Sequence, residues 1–241
     1  MSFSTRIVYT QDILSLPSRF SALIVPCNRF LIGCRFPYVT RGATIPFANV
    51  TSIWGPAGSN MSGRWGGHEI DVTHQLYPIH SLDGLVHRAA GPSLARHINS
   101  LPFVDGLKPV KLLPGQALSS PSFDLTDRFA ALIHTPTPYR EDLLALHTVA
   151  DCYVRSMAEV LRLDLDSAPR TWQVVTALLG NGTRAFSIEE SCQAAVEACT
   201  RLKNGEVEGS HPVELTFALR DAAAVDALSR LLISKGISYK K

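Results

Sequence analysis

The stretch SLDGLVHRAAGPSL, residues 81–94, decides the fold assignment. It begins as a short polar loop and continues as a helix that carries Asp83 one turn before His87. Gly91-Pro92 then interrupts or restarts the helix, because proline lacks an N–H group and clashes with the preceding turn. Two interpretations of Asp83 stay open. It binds a ligand, or it caps the helix by accepting the N–H groups of residues 85 and 86.

Length and charge limit the kind of protein. The 241 residues are enough for one generous domain, and we expect a single domain over 1–241. Apolar residues make up 46% of the chain and the formal net charge is only +2, which disfavours nucleic acid and acidic membranes as partners. No apolar run reaches the roughly 20 residues of a membrane span, and the N-terminus lacks a signal pattern. We therefore expect a soluble protein with no membrane contact.

The cysteines indicate a reducing environment. There are five of them, with no C-x-x-C pair, and an odd number favours free thiols over a disulfide framework. We expect an intracellular reducing compartment, the cytoplasm first. The Ser-rich, Arg-bearing start MSFSTR leaves an organellar address as the alternative. Cys27 ends a predicted strand and is the one candidate for a nucleophilic thiol.

The hydrophobic pattern predicts alternating strands and helices. Strands are predicted at 6–10, 21–27, 129–135, 171–179 and 213–219, and helices at 83–101, 140–164, 188–203 and 222–236. This alternation favours an α/β sandwich with a largely parallel sheet. Residues 34–80 differ, since they are rich in Gly, Pro and aromatics without a helical period, and we interpret them as an insertion of loops and short strands.

Ligands of such sheets bind beyond the carboxyl ends of the strands. The loops that follow the predicted strands are therefore the candidate ligand loops. They are 26–33 together with 80–86, then 135–139, and then 180–187.

Several segments, in this order, resemble the macro domain family. LDGLVHRAAGP (82–92) resembles the family's V-D-G-A-I-H-R-A-A-G-P, and SALIVPCN (21–28) resembles D-A-I-V-N-A-A-N. YTQDILSL (9–16) is similar to the G-D-I-T segment, and LLGNGTRAF (178–186) stands where I-S-T-G-I-Y-G-F is expected. The resemblance implies a three-layer α/β/α sandwich with a mixed, largely parallel central sheet, and ADP-ribose or a related nucleotide as ligand.

The resemblance also implies a set of site residues. Asp12 and Ile13 match the adenine contacts, while Asn28 and Asp83 match the residues that hold the distal ribose. The remaining implied ligand-binding residues are Gly84, Leu85, Gly180, Asn181, Gly182, Thr183 and Arg184. Gly180, Asn181 and Gly182 would offer N–H groups to the diphosphate. Arg184 replaces the aromatic residue that stacks on the ribose, and could pair with a phosphate or with solvent. We expect no cofactor and no metal.

The chain departs from the family in its first phosphate loop. A glycine run should directly precede Asp83, but His80-Ser81-Leu82 stand there, and Asn28 and Asp83 lie 55 residues apart. We therefore expect a divergent, non-catalytic macro domain that binds the nucleotide weakly or keeps the fold for protein contacts. One alternative is an ADP-ribosyl hydrolase that uses Asn28 and Asp83 to orient a water. Another is a structural subunit that docks on a protein partner through residues 34–80, whose aromatics and arginines suit interfaces.

Overall fold

A parallel β-sheet forms the centre of the molecule. The computed structural model describes residues 2–31, 63–65, 68–70, 81–163, 170–182 and 184–240. The strands of the central sheet are β1 (Phe3–Tyr9), β2 (Phe20–Cys27), β5 (Leu118–Pro121), β6 (Phe129–Pro136), β7 (Trp172–Thr176), β8 (Val213–Leu219) and β9 (Tyr239–Lys240). These seven strands have the order β5-β6-β2-β7-β8-β1-β9. Only β5 runs antiparallel to its neighbour, so the predicted mixed, largely parallel sheet is confirmed.

Helices cover both faces of this sheet. They are α1 (Leu82–Ala89), α2 (Gly91–Ser100), α3 (Ala145–Leu161), α4 (Ile188–Lys203) and α5 (Ala222–Ser234), with short 3₁₀ helices at Ile13–Ser15 and Phe123–Leu125. One apolar core joins α3, α4 and α5 to one face of the sheet, and a second core joins α1 and α2 to the other face. The result is the predicted three-layer α/β/α sandwich.

The central strand β2 explains why its sequence reads as a continuous apolar run. Ala22 and Ile24 belong to the core under α3 to α5, whereas Leu23 and Val25 belong to the core under α1 and α2. Successive side chains of a strand point to opposite faces, so a strand covered on both sides is apolar at every position.

Two helix boundaries have local causes. Helix α2 begins at Gly91, whose φ of +75° breaks the chain direction of α1. A Cβ atom at this position would lie 2.2 Å from an Asp124 carboxylate oxygen. The helix predicted from residue 140 begins only at Ala145. Before Ala145, the Tyr139 N–H donates to Asp142 Oδ2 at 2.8 Å and Leu144 has a left-handed φ of +58°. Residues 139–144 therefore form a non-helical turn.

A small hairpin lies within the predicted insertion. Strands β3 (Gly63–Trp65) and β4 (His68–Ile70) pair antiparallel. The rest of residues 34–80 lies outside the described residues. Among the helices that are described, none has the length and apolar character needed to cross a membrane.

Candidate functional site

Three loops converge at one edge of the sheet. Strands β6, β2 and β7 are parallel neighbours, so their carboxyl ends at Pro136, Cys27 and Thr176 meet at that edge. We call the loops that follow them, 28–31, 137–144 and 177–187, the loop edge. Backbone strain is concentrated there. Of the four non-glycine residues with positive φ in the described chain, Leu31, Leu144 and Ala185 belong to the loop edge. Such strain often marks functional sites.

Helix α3 supports two of these loops from below. Cys152 Sγ donates to the Pro136 carbonyl at 3.4 Å, and the Tyr153 hydroxyl accepts the Leu179 N–H at 2.8 Å. The pair therefore holds the end of β6 and the start of the 177–187 loop in fixed positions.

Asp83 lies buried beside the loop edge. Its residue is 6% exposed, and its Oδ1 lies 3.5 Å from Nε2 of His87, which is 3% exposed. Burial raises the pKa of the Asp83 carboxyl to about 7, and the nearby Arg184 guanidinium only partly opposes that rise. The protonated, neutral form of Asp83 is therefore favoured far more than in an exposed aspartate. His87 is the packed core histidine of this pair.

The capping interpretation of Asp83 is wrong. Ser81 is the N-cap of α1, and its hydroxyl accepts the Gly84 N–H at 3.1 Å while its carbonyl accepts the Leu85 N–H at 2.9 Å. Asp83 is the second residue of the helix and therefore lies inside its first turn, after the N-cap. Gly84 and Leu85 use their N–H groups inside this turn, which removes these two donors from any ligand.

Arg184 is held across the loop edge by neutral groups. Its Nη2 donates to the Cys27 carbonyl at 3.3 Å, and its Cζ lies 4.2 Å from the centre of the Tyr139 ring. Within the described ranges no carboxylate lies within ion-pair distance of Arg184. The guanidinium is a preorganised, part-buried cation whose nearby carboxyl, Asp83, acts on it only beyond ion-pair distance.

Arg140 links the second loop (137–144) to the third loop (177–187). The Arg140 N–H donates to the Arg184 carbonyl at 3.2 Å, and the Arg140 guanidinium pairs with Glu190 at 2.9 Å. Sequence reasoning missed both Tyr139 and Arg140 as parts of the site. The available signal was the predicted ligand loop 135–139, which Tyr139 ends.

The glycine loop after β7 is only partly open to a ligand. Gly180 has φ +84°, and a Cβ atom there would lie 3.0 Å from the Phe186 ring, so the turn requires glycine. The Gly182 N–H already donates to the Gly180 carbonyl at 2.9 Å. Among the described residues, the N–H groups of Gly180 and Asn181 have no acceptor. Thr183 lies outside the described residues.

Asn28 and Asp12 both stabilise local turns. Asn28 Oδ1 accepts the Phe30 N–H at 2.9 Å in the turn after β2. Asp12 caps the first 3₁₀ helix by accepting the Leu14 N–H at 2.9 Å, and its other oxygen accepts the Ser15 hydroxyl. Asp12 follows β1, which lies two strands beyond β7, so the predicted adenine end is at the far end of this sheet edge.

Two buried residues at the ends of β2 and β6, Cys27 and His134, have surroundings that suit a structural role. Burial raises the pKa of the Cys27 thiol well above its usual value, which disfavours this candidate as a nucleophile. Burial lowers the pKa of His134 to about 3, and its neutral ring bonds the Ser120 hydroxyl at 2.9 Å. In the described parts of the chain, no three His, Cys, Asp or Glu side chains converge on a possible metal position.

Solved structures resemble this chain over almost its whole length. No protein-family model and no curated protein matches the sequence. The Oceanobacillus iheyensis macrodomain with ADP is 16% identical, covers 95% of this chain and 90% of its own, and has a TM-score of 0.61. A variant of that macrodomain with ADPR is 16% identical with coverages of 96% and 93% and a TM-score of 0.59. The Trypanosoma brucei macrodomain in complex with ADP is 13% identical, with coverages of 96% and 69% and a TM-score of 0.57. The chain therefore has the macrodomain fold.

Proposed function

We propose that the loop edge binds ADP-ribose or a related nucleotide, without catalysis. One observation carries this proposal: strand order brings Asn28, Asp83, the 180–182 loop and Arg184 to one sheet edge of a macrodomain fold. Similar solved structures hold ADP or ADPR. Ligands of parallel sheets bind at this edge.

The free donors suit a diphosphate. Gly180 and Asn181 have N–H groups without acceptors in the described residues, and backbone N–H groups in a glycine turn bind phosphate oxygens. Arg184 adds a guanidinium that can donate two parallel hydrogen bonds to a phosphate. The terminal ribose would then lie over Asp83, and the adenine would lie toward Asp12.

The binding should be weak. Gly182, Gly84 and Leu85 already donate their N–H groups within the protein, so fewer backbone donors face the ligand than the sequence resemblance implies. Asn28 Oδ1 also accepts a backbone N–H, which removes part of its capacity to bind a ribose hydroxyl.

Calorimetric titration of ADP-ribose into the protein tests the proposal. Nothing lies within 4 Å of a Cβ atom built on Gly182, so this position accepts a side chain without strain. Gly182→Glu should abolish binding because its carboxylate repels the diphosphate, while the matched Gly182→Ala should bind like the wild type. The proposal fails if the wild type releases no heat at millimolar ADP-ribose, or if Gly182→Glu binds equally well.

One observation favours hydrolysis as a second candidate function. Asp83 has a pKa of about 7 and lies 3.5 Å from His87, and a carboxyl with a near-neutral pKa suits proton transfer with water. In this hydrolase the water oxygen would bond to the anomeric carbon of the ribose as the bond from that carbon to the modified protein side chain breaks, and one water proton would pass to the departing side chain. The test is release of ADP-ribose from a modified protein, which Asp83→Asn should stop while ADP-ribose binding persists.

The remaining alternative concerns residues 34–80. Most of this segment lies outside the described residues. Two predictions concern it: that the protein is a structural subunit that docks through it, and that it binds a protein partner. We keep both as predictions from its aromatic and arginine content.

A further inference from the structure

Two exposed apolar patches lie on the surface of the described chain. We call residues 139–146 the Leu143 ridge and residues 103–111 the Phe103 patch. Six of the eight exposed large apolar side chains in the described residues belong to these two segments. They are Tyr139, Leu143, Leu144 and Leu146 on the ridge, and Phe103 and Leu107 on the patch. Exposed apolar groups clustered in this way mark interaction surfaces.

The Leu143 ridge is held in one conformation by its own turn. Leu143 is 90% exposed and Leu144 is 69% exposed, and Leu144 has a left-handed φ of +58°. The Asp142 carboxylate accepts the Tyr139 N–H at 2.8 Å, and the Asp142 carbonyl accepts the Ala145 N–H at 3.2 Å. The turn is therefore ordered before a partner binds, which lowers the entropic cost of association.

The charge on the ridge is negative. Glu141 and Asp142 are exposed, and neither makes an ion pair with any residue that the structure describes. Arg140 is the cation of this segment, and its guanidinium pairs with Glu190 at 2.9 Å. A surface that complements the ridge therefore combines apolar side chains with cations.

The Phe103 patch has this combination. Phe103 is 39% exposed and Leu107 is 47% exposed. The Lys111 ammonium lies 4.7 Å from the centre of the Phe103 ring and donates to the Leu101 carbonyl at 2.6 Å. The Lys108 ammonium lies 5.4 Å from the same ring centre. Such contacts between a cation and a ring face are attractive, so the patch is ordered as well.

The charge on the patch is positive. Lys108 and Lys111 outnumber Asp105, the acidic residue of this segment. Arg29 is exposed and adjoins the patch, because its carbonyl accepts the Lys111 N–H at 2.9 Å. Within the described parts of the chain, none of these three cations makes an ion pair. The patch thus complements the ridge in charge while sharing its apolar character.

The two patches lie on opposite faces of the central sheet. The ridge leads into α3, and its residue Ala145 belongs to the core under α3 to α5. The Phe103 patch follows α2 and is followed by Leu112, which belongs to the core under α1 and α2. The ridge and the patch of one chain therefore cannot meet each other, whereas those of two copies can.

A groove beside the ridge offers space for an apolar side chain of the patch. It has a volume of about 570 Å³, and its apolar part is lined by Leu144, Ala145, Leu146 and Phe186. The charged groups on its rim pair with one another, because Arg140 meets Glu190 at 2.9 Å and His147 meets Glu197 at 2.8 Å. An apolar side chain that enters the groove leaves these rim charges paired.

We propose that the Leu143 ridge of one copy of the chain docks on the Phe103 patch of a second copy. In this contact Leu107 enters the groove, and Lys108 faces Glu141 and Asp142. Because the two surfaces differ, the first contact leaves one ridge and one patch uncovered, and association continues head to tail into a ring or a filament. The inference is independent of the proposed nucleotide binding.

Light scattering of the full chain at increasing protein concentration tests the inference. At low salt and about 0.5 mM protein, the weight-average mass should be at least about twice that of one chain, which head-to-tail association reaches with a dissociation constant of about 0.5 mM or tighter. The mass should fall in about 1 M salt, because salt screens the contacts between the acidic ridge and the basic patch.

Matched variants test whether the two patches meet each other. Leu143→Ser on the ridge and Leu107→Ser on the patch should each give a monomer. Their equimolar mixture should give dimers and nothing larger, because one intact ridge and one intact patch remain. Glu141→Lys and Lys108→Glu should each weaken assembly, and mixing these two variants should restore it. Ile233→Ser is the control, since Ile233 is 66% exposed on α5 outside both patches, and this variant should assemble like the wild type.

Four results would overturn the inference. The first is a wild type that stays monomeric at low salt. The second is assembly that Leu143→Ser abolishes and Leu107→Ser retains, which assigns the ridge to a symmetric contact with itself. The third is a mixture of the two serine variants that stays monomeric. The fourth is a melting temperature that falls in Leu143→Ser but not in Ile233→Ser at a concentration where both are monomers, which means that the chain itself covers the ridge.

Discussion

Charge pairing and backbone strain differ between the loop edge and the opposite half of the molecule. In the half built from β8, β1, β9 and α4, the least exposed charged groups have partners. Glu214 bonds both Arg6 and Lys240, and Arg201 meets Asp151 and Glu206 at 2.7 and 2.6 Å. At the loop edge, in contrast, Asp83 is buried at 3.5 Å from His87 with a raised pKa, and Arg184 has no carboxylate partner among the described residues.

This difference indicates where the chain gives up stability for function. A buried carboxyl without full compensation and left-handed non-glycine residues both destabilise the folded state, and they persist where a ligand uses them. Amide substitutions of a carboxylate should therefore have opposite signs in the two regions.

The largest effect is expected at Asp83. Burial raises its pKa from 3.8 to about 7, so the folded state binds this proton more tightly than the unfolded state does. The contribution of this group to stability is therefore lost as pH rises from about 4 to about 7, and the penalty stays constant above that range. Asp83→Asn should raise the free energy of unfolding by up to about 4 kcal/mol at pH 8 and by about 1 kcal/mol at pH 4.5, at roughly 1.4 kcal/mol per pKa unit. Urea unfolding at the two pH values measures both gains, and equal gains would contradict this account.

Replacing the paired carboxylate of Glu214 by an amide should lower the free energy of unfolding, the opposite of the effect at Asp83. Glu214 has a side chain that is 7% exposed, and Glu214→Gln removes the charge that pairs with Arg6 and Lys240. Those two cations are 40% and 63% exposed and can be hydrated, so the loss should be about 1 kcal/mol rather than the larger cost of a fully buried pair. The same urea unfolding at pH 8 measures it. A gain in stability at Glu214 would remove the contrast between the two regions.

The smallest effect concerns backbone strain. Ala185 is exposed with φ +66°, so Ala185→Gly should relieve the left-handed strain and stabilise the protein by about 0.5 kcal/mol, after the entropic cost of glycine is deducted. Ala158→Gly, inside α3, is the matched substitution and should destabilise by about 0.5 to 1 kcal/mol. Thermal unfolding of both variants checks the opposite signs, and destabilisation by Ala185→Gly would show that this turn is not strained.

The sequence predicts the sandwich well because its signals are local. Helix 188–203 and strand 213–219 have the predicted bounds. An apolar period with acids in the first turn and bases in the last marks the helix, and a largely apolar run marks the strand. Strand β5 was missed because LSSP is short, polar and ends in proline at the sheet edge. Strand β9 has only two residues.

The site was less predictable because its contacts are not local. Asp83 and Asn28 were predicted as site residues from the resemblance of their motifs, but the contact of Arg184 with Tyr139 joins loops that follow different strands. Only the order β6-β2-β7 brings those loops together. The cap assignment failed for a related reason, since Ser81 and Asp83 are both good capping residues and only the start of α1 at Leu82 selects Ser81.

Amide chemical shifts of the labelled protein during addition of ADP-ribose test the central claim most directly, because they report the position of the ligand without any substitution. Our account predicts shifts confined to residues 28–31, 82–87, 137–144 and 177–187 with weaker changes near Asp12, and none in the paired half around Arg201 and Glu214. Shifts centred on the paired half, or no shifts at millimolar ligand, would contradict the claim that the strained loop edge is the nucleotide site.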